Sequence, residues 1–209
     1  PCQCKLKRIR NTYTRHDNDD NSVTALGLHE RIHLIIGTET YQTVSGTIIN
    51  FMSYIHDDQK LVDTVESFED GTVLFMHNEI EGFLYKGIDS TCALTKLHLA
   101  KFSQVINGHI HAHQIKGNIL ITGSLEQCNF GESGSDVHYY HIDFSSKPSI
   151  KKFPNTISPK YFRLKYSDVK NLSSKIFDDL YARGYVRIYC DNEEEKLLAL
   201  EIVNDVSNV

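Results

Sequence analysis

Three short apolar runs in this 209-residue chain end in residues that can bind metal or phosphate. Thr72-Val73-Leu74-Phe75-Met76 ends at His77. Gln104-Val105-Ile106 ends at Asn107-Gly108-His109-Ile110-His111, and Asn118–Thr122 ends at Gly123-Ser124. Continuous apolar runs of this length suit strands buried on both faces. In layered α/β folds, ligand-binding groups gather at the carboxyl ends of such strands. Histidines at i and i+2 just past a strand can turn both imidazoles toward one site. Gly108 before them removes a side chain where the backbone must bend. Neutral imidazole is a ligand for zinc, manganese, iron and nickel, so the chemistry on offer is metal-assisted. Of the 11 histidines, His113 reads as a loop residue facing elsewhere. His29, His33, His56, His98 and His141 read as structural or surface residues.

The elements that must hold these residues can be placed coarsely. Residues 1–22 are polar, and Ser22 to Arg31 is predicted as a short helix. Strands are predicted at Ile32–Ile36, Gly46–Tyr54 and His138–Phe144. Helices are predicted over Asp57–Glu69, with Leu61, Val65 and Phe68 at helical spacing, and over residues 90–101, with Leu94, Leu97 and Leu99. Ser145–Pro159 holds Pro148, Pro154 and Pro159 and reads as a boundary or crossover. Beyond it come a strand at Tyr161–Tyr166, a helix at Val169–Arg183 stopped by Gly184, a strand at Tyr185–Cys190 and a last element at Glu194–Val203. The expected organisation is α/β, with a core over 1–152 and a small α+β region over 153–209.

Composition narrows the function classes. A net charge of -5 gives no general attraction to nucleic acid or acidic membranes. Phosphate binding must therefore be local or come from metal ions. Lys5, Lys7, Arg8 and Arg10 read as a solvated basic stretch. The 5 cysteines are odd in number and irregular in spacing, which suits free thiols in a reducing compartment. No apolar run approaches the roughly 18 residues of a membrane span, and no signal peptide opens the chain. A soluble, cytoplasmic protein without membrane association is expected.

The string Gly108-His109-Ile110-His111, with Gln114 and the later Gly123-Ser124, resembles the last motif of the calcineurin-like metallophosphoesterases. Its continuation, Leu125-Glu126-Gln127-Cys128-Asn129-Phe130-Gly131-Glu132, is similar to the DNA repair exonuclease branch. That branch includes the SbcD-type nuclease subunits of bacteria, phages and large viruses. Phe75-Met76-His77-Asn78-Glu79-Ile80-Glu81-Gly82 resembles the preceding histidine motif, and Ser158-Pro159-Lys160-Tyr161 the start of the capping region. The likeness runs from about residue 15 to the C-terminus and is strongest over 72–132. It implies a layered β-sandwich flanked by helices (αββα) with a small α+β cap. It implies a dinuclear site, usually manganese, with His77 and His109 on one ion and His111 on the other. Thr14-Arg15-His16-Asp17 matches a Gly-Asn-His-Asp motif. His16 would then stabilise the transition state and protonate the leaving oxygen, with Asp17 orienting it. The implied partners are DNA, an ATPase of the SMC type and a second copy of the chain. The implied setting is a bacterium or an infected host cell.

The chain departs from that pattern in two places. Arg15 stands where the family has a metal-ligating asparagine, and a guanidinium offers no lone pair. The family's early Asp-x-His and Gly-Asp-x-x-Asp carboxylates occur nowhere upstream of residue 15, and Asp136-Val137-His138 lies on the wrong side of the motif. The expectation is a nuclease core short of its first third, with Pro1 marking the cut, at most one weakly held ion and little activity as an isolated chain. Two readings follow: a metal-dependent DNA exonuclease or endonuclease for repair or recombination, or a catalytically defective scaffold that binds DNA ends or the ATPase.

Overall fold

A computed structural model describes residues 7–12, 32–85, 87–145, 148–172 and 174–207. The predicted helix from Ser22 to Arg31, and His16 and Asp17, lie outside them. β1 (Lys7–Thr12), β2 (Thr38–Gln42) and β3 (Ile48–Met52) form an antiparallel meander. The strand predicted at Ile32–Ile36 falls instead on the more polar β2. Gly37, at φ 78°, turns the chain just before it, and the Gly37 and Ser53 backbones bond to each other's residue at 2.9–3.0 Å.

After β3 the chain forms α1 (Asp58–Glu66), where the Asp57 side chain caps the Lys60 N–H at 2.7 Å. Then come β4 (Val73–Met76), the short hairpin β5 (Leu84–Tyr85) and β6 (Ile88–Asp89), α2 (Lys96–Leu99), β7 (Gln104–Asn107), β8 (Gln114–Lys116) and β9 (Ile119–Ile121). The helix predicted over residues 90–101 is only this single turn. Leu94 lies before its Thr95 cap, and Leu97 is 85% exposed.

The seven strands β1–β4 and β7–β9 make one mixed sheet, ordered β1-β2-β3-β4-β7-β9-β8. Its centre, β3, β4, β7 and β9, is all parallel. Both faces of that centre are covered, which is why its strands read as unbroken apolar runs. Leu74, Met76, Val105, Ile119 and Ile121 pack with Leu61 and Val65 of α1, with Phe68 just past its end, and with Leu94, Leu99 and Phe102 around α2. Ile49, Val73, Ile106 and Leu120 face the other way. They meet Tyr140, Ile142, Phe144 and Ile150 of a hairpin, β10 (His138–Asp143) with β11 (Ser149–Pro154). Each fully buried Leu or Val contributes roughly 1.5–3 kcal/mol. The α/β class is as expected, with a helical layer and a two-stranded β layer on the two faces. β11 runs through the proline-rich stretch read as a crossover, with Pro154 at its end.

The chain divides into two compact units. One holds the seven-stranded sheet and Tyr140–Lys152. The other joins Ser124–Tyr139 to the chain from Phe153 onward. In the second unit β12 (Lys160–Lys165) is followed by α3 (Tyr166–Val169), α4 (Ser174–Ala182), β13 (Gly184–Tyr189) and α5 (Glu193–Ser207). β12 and β13 pair in parallel, with Lys160 opposite Gly184. The predicted single helix over Val169–Arg183 is therefore two helices. Gly184 is not a left-handed helix stop. It is the first residue of β13, and a Cβ there would lie 1.9 Å from the Lys160 carbonyl oxygen. Among the described residues no helix is long and apolar enough to cross a membrane.

Candidate functional site

The four parallel strands end on one edge of the sheet, and their next residues are Ser53-Tyr54, His77, Gly108-His109 and Thr122-Gly123. The register puts Met76 beside Asn107, and Asn107 beside Ile121. Ladder bonds continue past the strands: the Gly108 N–H donates to Met76 O at 3.2 Å, and the Thr122 N–H to Asn107 O at 3.0 Å. The edge is thus stiff up to the point where the histidines leave it.

His77 and His109 meet there. Their ring centroids are 5.2 Å apart and their planes cross at 88°. Gly108 makes this possible. A Cβ at that position would stand 3.3 Å from His77 Nδ1. Gly108 lies outside the left-handed region, so the glycine makes room for a ring and is not there for a tight bend. His111 is exposed on the same turn, close enough that its charge lowers the pKa of His77. Desolvation of the His77 ring is the largest cause of that lowering, followed by His109 and then His111. His77 therefore stays neutral, with a lone pair to offer, to lower pH than an ordinary histidine.

Two buried asparagines hold the turn. Asn107, fully buried, accepts the His109 N–H at 3.1 Å and donates to Asn78 O at 2.6 Å. Asn78 in turn donates to Ile55 O at 2.7 Å, tying the loop after β4 to the loop after β3. Tyr54 stacks on His109 at 5.8 Å between centroids. The Glu79 carboxylate lies 3.7 Å from His109 Nε2, and its other oxygen accepts from Ser90 Oγ at 2.9 Å. His113 turns away, with Nδ1 2.8 Å from the Tyr140 hydroxyl. His98 closes a capping box with Thr95 at α2. Tyr54 and Glu79 belong to the edge although the motif reading gave them no role. Tyr54 sits two residues and Glu79 three residues past the end of a parallel strand, which is the signal that could have found them.

Imidazole and carboxylate are both ligands for borderline divalent cations, but among the described residues His77, His109, His111 and Glu79 do not gather three donor atoms close enough to share one ion as they stand. The chain is 25% identical over 152 residues to the PAN2-PAN3 deadenylation complex catalytic subunit PAN2 of Saccharomyces cerevisiae. The match covers 69% of this chain but only 13% of that protein. No family model matches.

Proposed function

We propose that the chain is part of a metal-dependent phosphodiesterase that cleaves nucleic acid, with His77, His109 and His111 as metal ligands. The observation that carries this reading is the pair of imidazoles 5.2 Å apart at the carboxyl edge of the parallel strands. The depressed proton affinity of His77 and the Glu79 carboxylate beside His109 favour a cation at this edge. When bound, a divalent ion, manganese by the motif resemblance, supplies a Lewis acid for a phosphoryl oxygen and acidifies a water. The protein's own part is orientation. Asn107 fixes the His109 backbone, Tyr54 backs its ring and Glu79 offers an anion beside Nε2. His16 and Asp17 enter the proposal by motif alone, as the groups that protonate the leaving oxygen and orient its donor.

The nucleic acid is DNA by the motif resemblance, in repair or recombination with an SMC-type ATPase and a second copy of the chain. The similarity to a deadenylation subunit adds adenylated RNA as a substrate to test. Arg15, in the place of a ligating asparagine, favours a second reading: a scaffold that binds nucleic-acid ends or the ATPase without hydrolysis. Manganese titration followed by electron paramagnetic resonance tests the site. Binding should weaken strongly in His77→Ala and His109→Ala, and unchanged binding in both would remove the site. Manganese-dependent cleavage of labelled DNA and poly(A) then separates the readings, since bound metal with background cleavage favours the scaffold.

A further inference from the structure

We propose that the open face of the β12–β13 sheet binds single-stranded nucleic acid, its bases stacking on tyrosines and its phosphates meeting arginines. This deepens the nuclease reading and rests on it for the biological substrate, but the surface stands on its own chemistry. Along β13 burial alternates, with Tyr185, Arg187 and Tyr189 outward and Val186 and Ile188 inward. The inward residues lie with Phe177 of α4 and Ala199 of α5. Across the parallel pair the outward residues form three rungs: Tyr161 with Tyr185, Arg163 with Arg187, and Lys165 with Tyr189.

The rungs are ordered by their own rings. Tyr161 and Tyr185 stack at 4.9 Å, and Phe130 meets Tyr161 edge-on at 4.9 Å. Arg187 lies 4.1 Å from the Phe130 centroid, and Arg163 lies 5.3 Å from that of Tyr189. Tyr185 and Tyr189 remain 56% and 42% exposed. An open cleft of about 690 Å³ at the start of the two strands is lined by Phe130, Tyr185, Lys160 and Arg183 among others.

Charge selects the occupant. The whole chain carries -5, yet the outward rungs hold three cations and no carboxylate. Arg163 stands opposite Arg187 and donates to the Tyr189 hydroxyl at 3.1 Å, so two guanidiniums lie side by side where a phosphate can meet both. Aromatic faces beside cations fit a single strand, because every base has a π-face to stack and every link a phosphate. A duplex keeps its bases stacked inside, and an acidic polypeptide has no bases at all.

The test is fluorescence anisotropy of labelled oligo(dT) and oligo(rU) with the full chain, in chelator so that the histidine site plays no part. Single strands should bind better than duplex, and whichever of the two binds tighter assigns DNA or RNA. Tyr185→Ala should weaken binding roughly tenfold, while Tyr185→Phe, which keeps the ring, should bind as the parent does. Arg163→Gln with Arg187→Gln should reduce the slope of log affinity against log salt by about 1.4, the value for two phosphate contacts on a single strand. Circular dichroism shows that each variant folds. Parent-like binding by folded Tyr185→Ala and by the double arginine variant would overturn the proposal. So would polyglutamate displacing the strand with the same dependence on these residues, which would assign the face to an acidic polypeptide.

Discussion

Gly123→Ala should loosen the histidine turn, and Gly117→Ala measures how much of its cost is only backbone. Gly123 sits at φ +75° and Gly117 at φ +61°. An alanine pays roughly 1–2 kcal/mol to occupy this left-handed region. At Gly117 that is the whole cost, because a new Cβ meets nothing within 4 Å. At Gly123 the new Cβ would lie 3.0 Å from His111 O and from His113 N, and 3.3 Å from His113 Cα. These are backbone atoms of the turn that carries His109 and His111, and they cannot swing aside as a flexible side chain would. Overpacking of this kind adds about 1–3 kcal/mol. The expected destabilisation is therefore about 1–2 kcal/mol for Gly117→Ala and about 2–5 kcal/mol for Gly123→Ala. Urea denaturation followed by far-ultraviolet circular dichroism reads both, since the chain has no tryptophan. Subtracting one variant from the other cancels the shared backbone cost and leaves the clash. Manganese affinity should fall in Gly123→Ala and hold in Gly117→Ala. Equal destabilisation of the two variants would refute the close packing of Gly123 against the 111–113 backbone.

Three further outcomes follow from other contacts. Asn107→Ala removes a fully buried side chain that bonds His109 N and Asn78 O and should cost about 2–4 kcal/mol in the same denaturation assay. His77 has a folded pKa below its usual value, so the unfolded chain takes up protons first as pH falls. Its contribution to stability is present above the unfolded pKa of about 6.5 and is lost as pH drops through the folded value. Measured stability should decline less steeply below that pH in His77→Gln than in the parent. Gly184→Ala would drive a Cβ to 1.9 Å from Lys160 O and 2.5 Å from Lys160 N. The β12–β13 pairing should fail, and protease cleavage within residues 160–189 should accelerate while the first unit still melts normally.

Much of the site's setting was legible in the chain alone. The runs ending at His77 and His109 became β4 and β7 because a strand buried on both faces needs an unbroken apolar stretch, and that is a local property. The Leu61, Val65 and Phe68 spacing placed a helix over Asp57–Glu69 for the same reason, although α1 ends at Glu66, before Phe68. Elements with weak local patterns were misread. The polar β2 owes its place to partners on both sides, and β11 lies in a stretch whose prolines suggest a loop. Gly108 read as a bend and Gly184 as a helix stop, yet at Gly108 a distant histidine ring passes close and at Gly184 the neighbouring strand leaves no room for a Cβ.

The sequence by itself determined the strand-end histidines, the apolar core runs and the absence of overall positive charge, since residue type and short-range periodicity carry these. Only the tertiary structure decided that His77 faces His109 and that Glu79 and Tyr54 share their edge. It also set Tyr161, Arg163 and Lys165 opposite Tyr185, Arg187 and Tyr189. Those neighbours lie some 24 to 55 positions apart along the chain, and it is sheet register and packing, not local pattern, that bring them together.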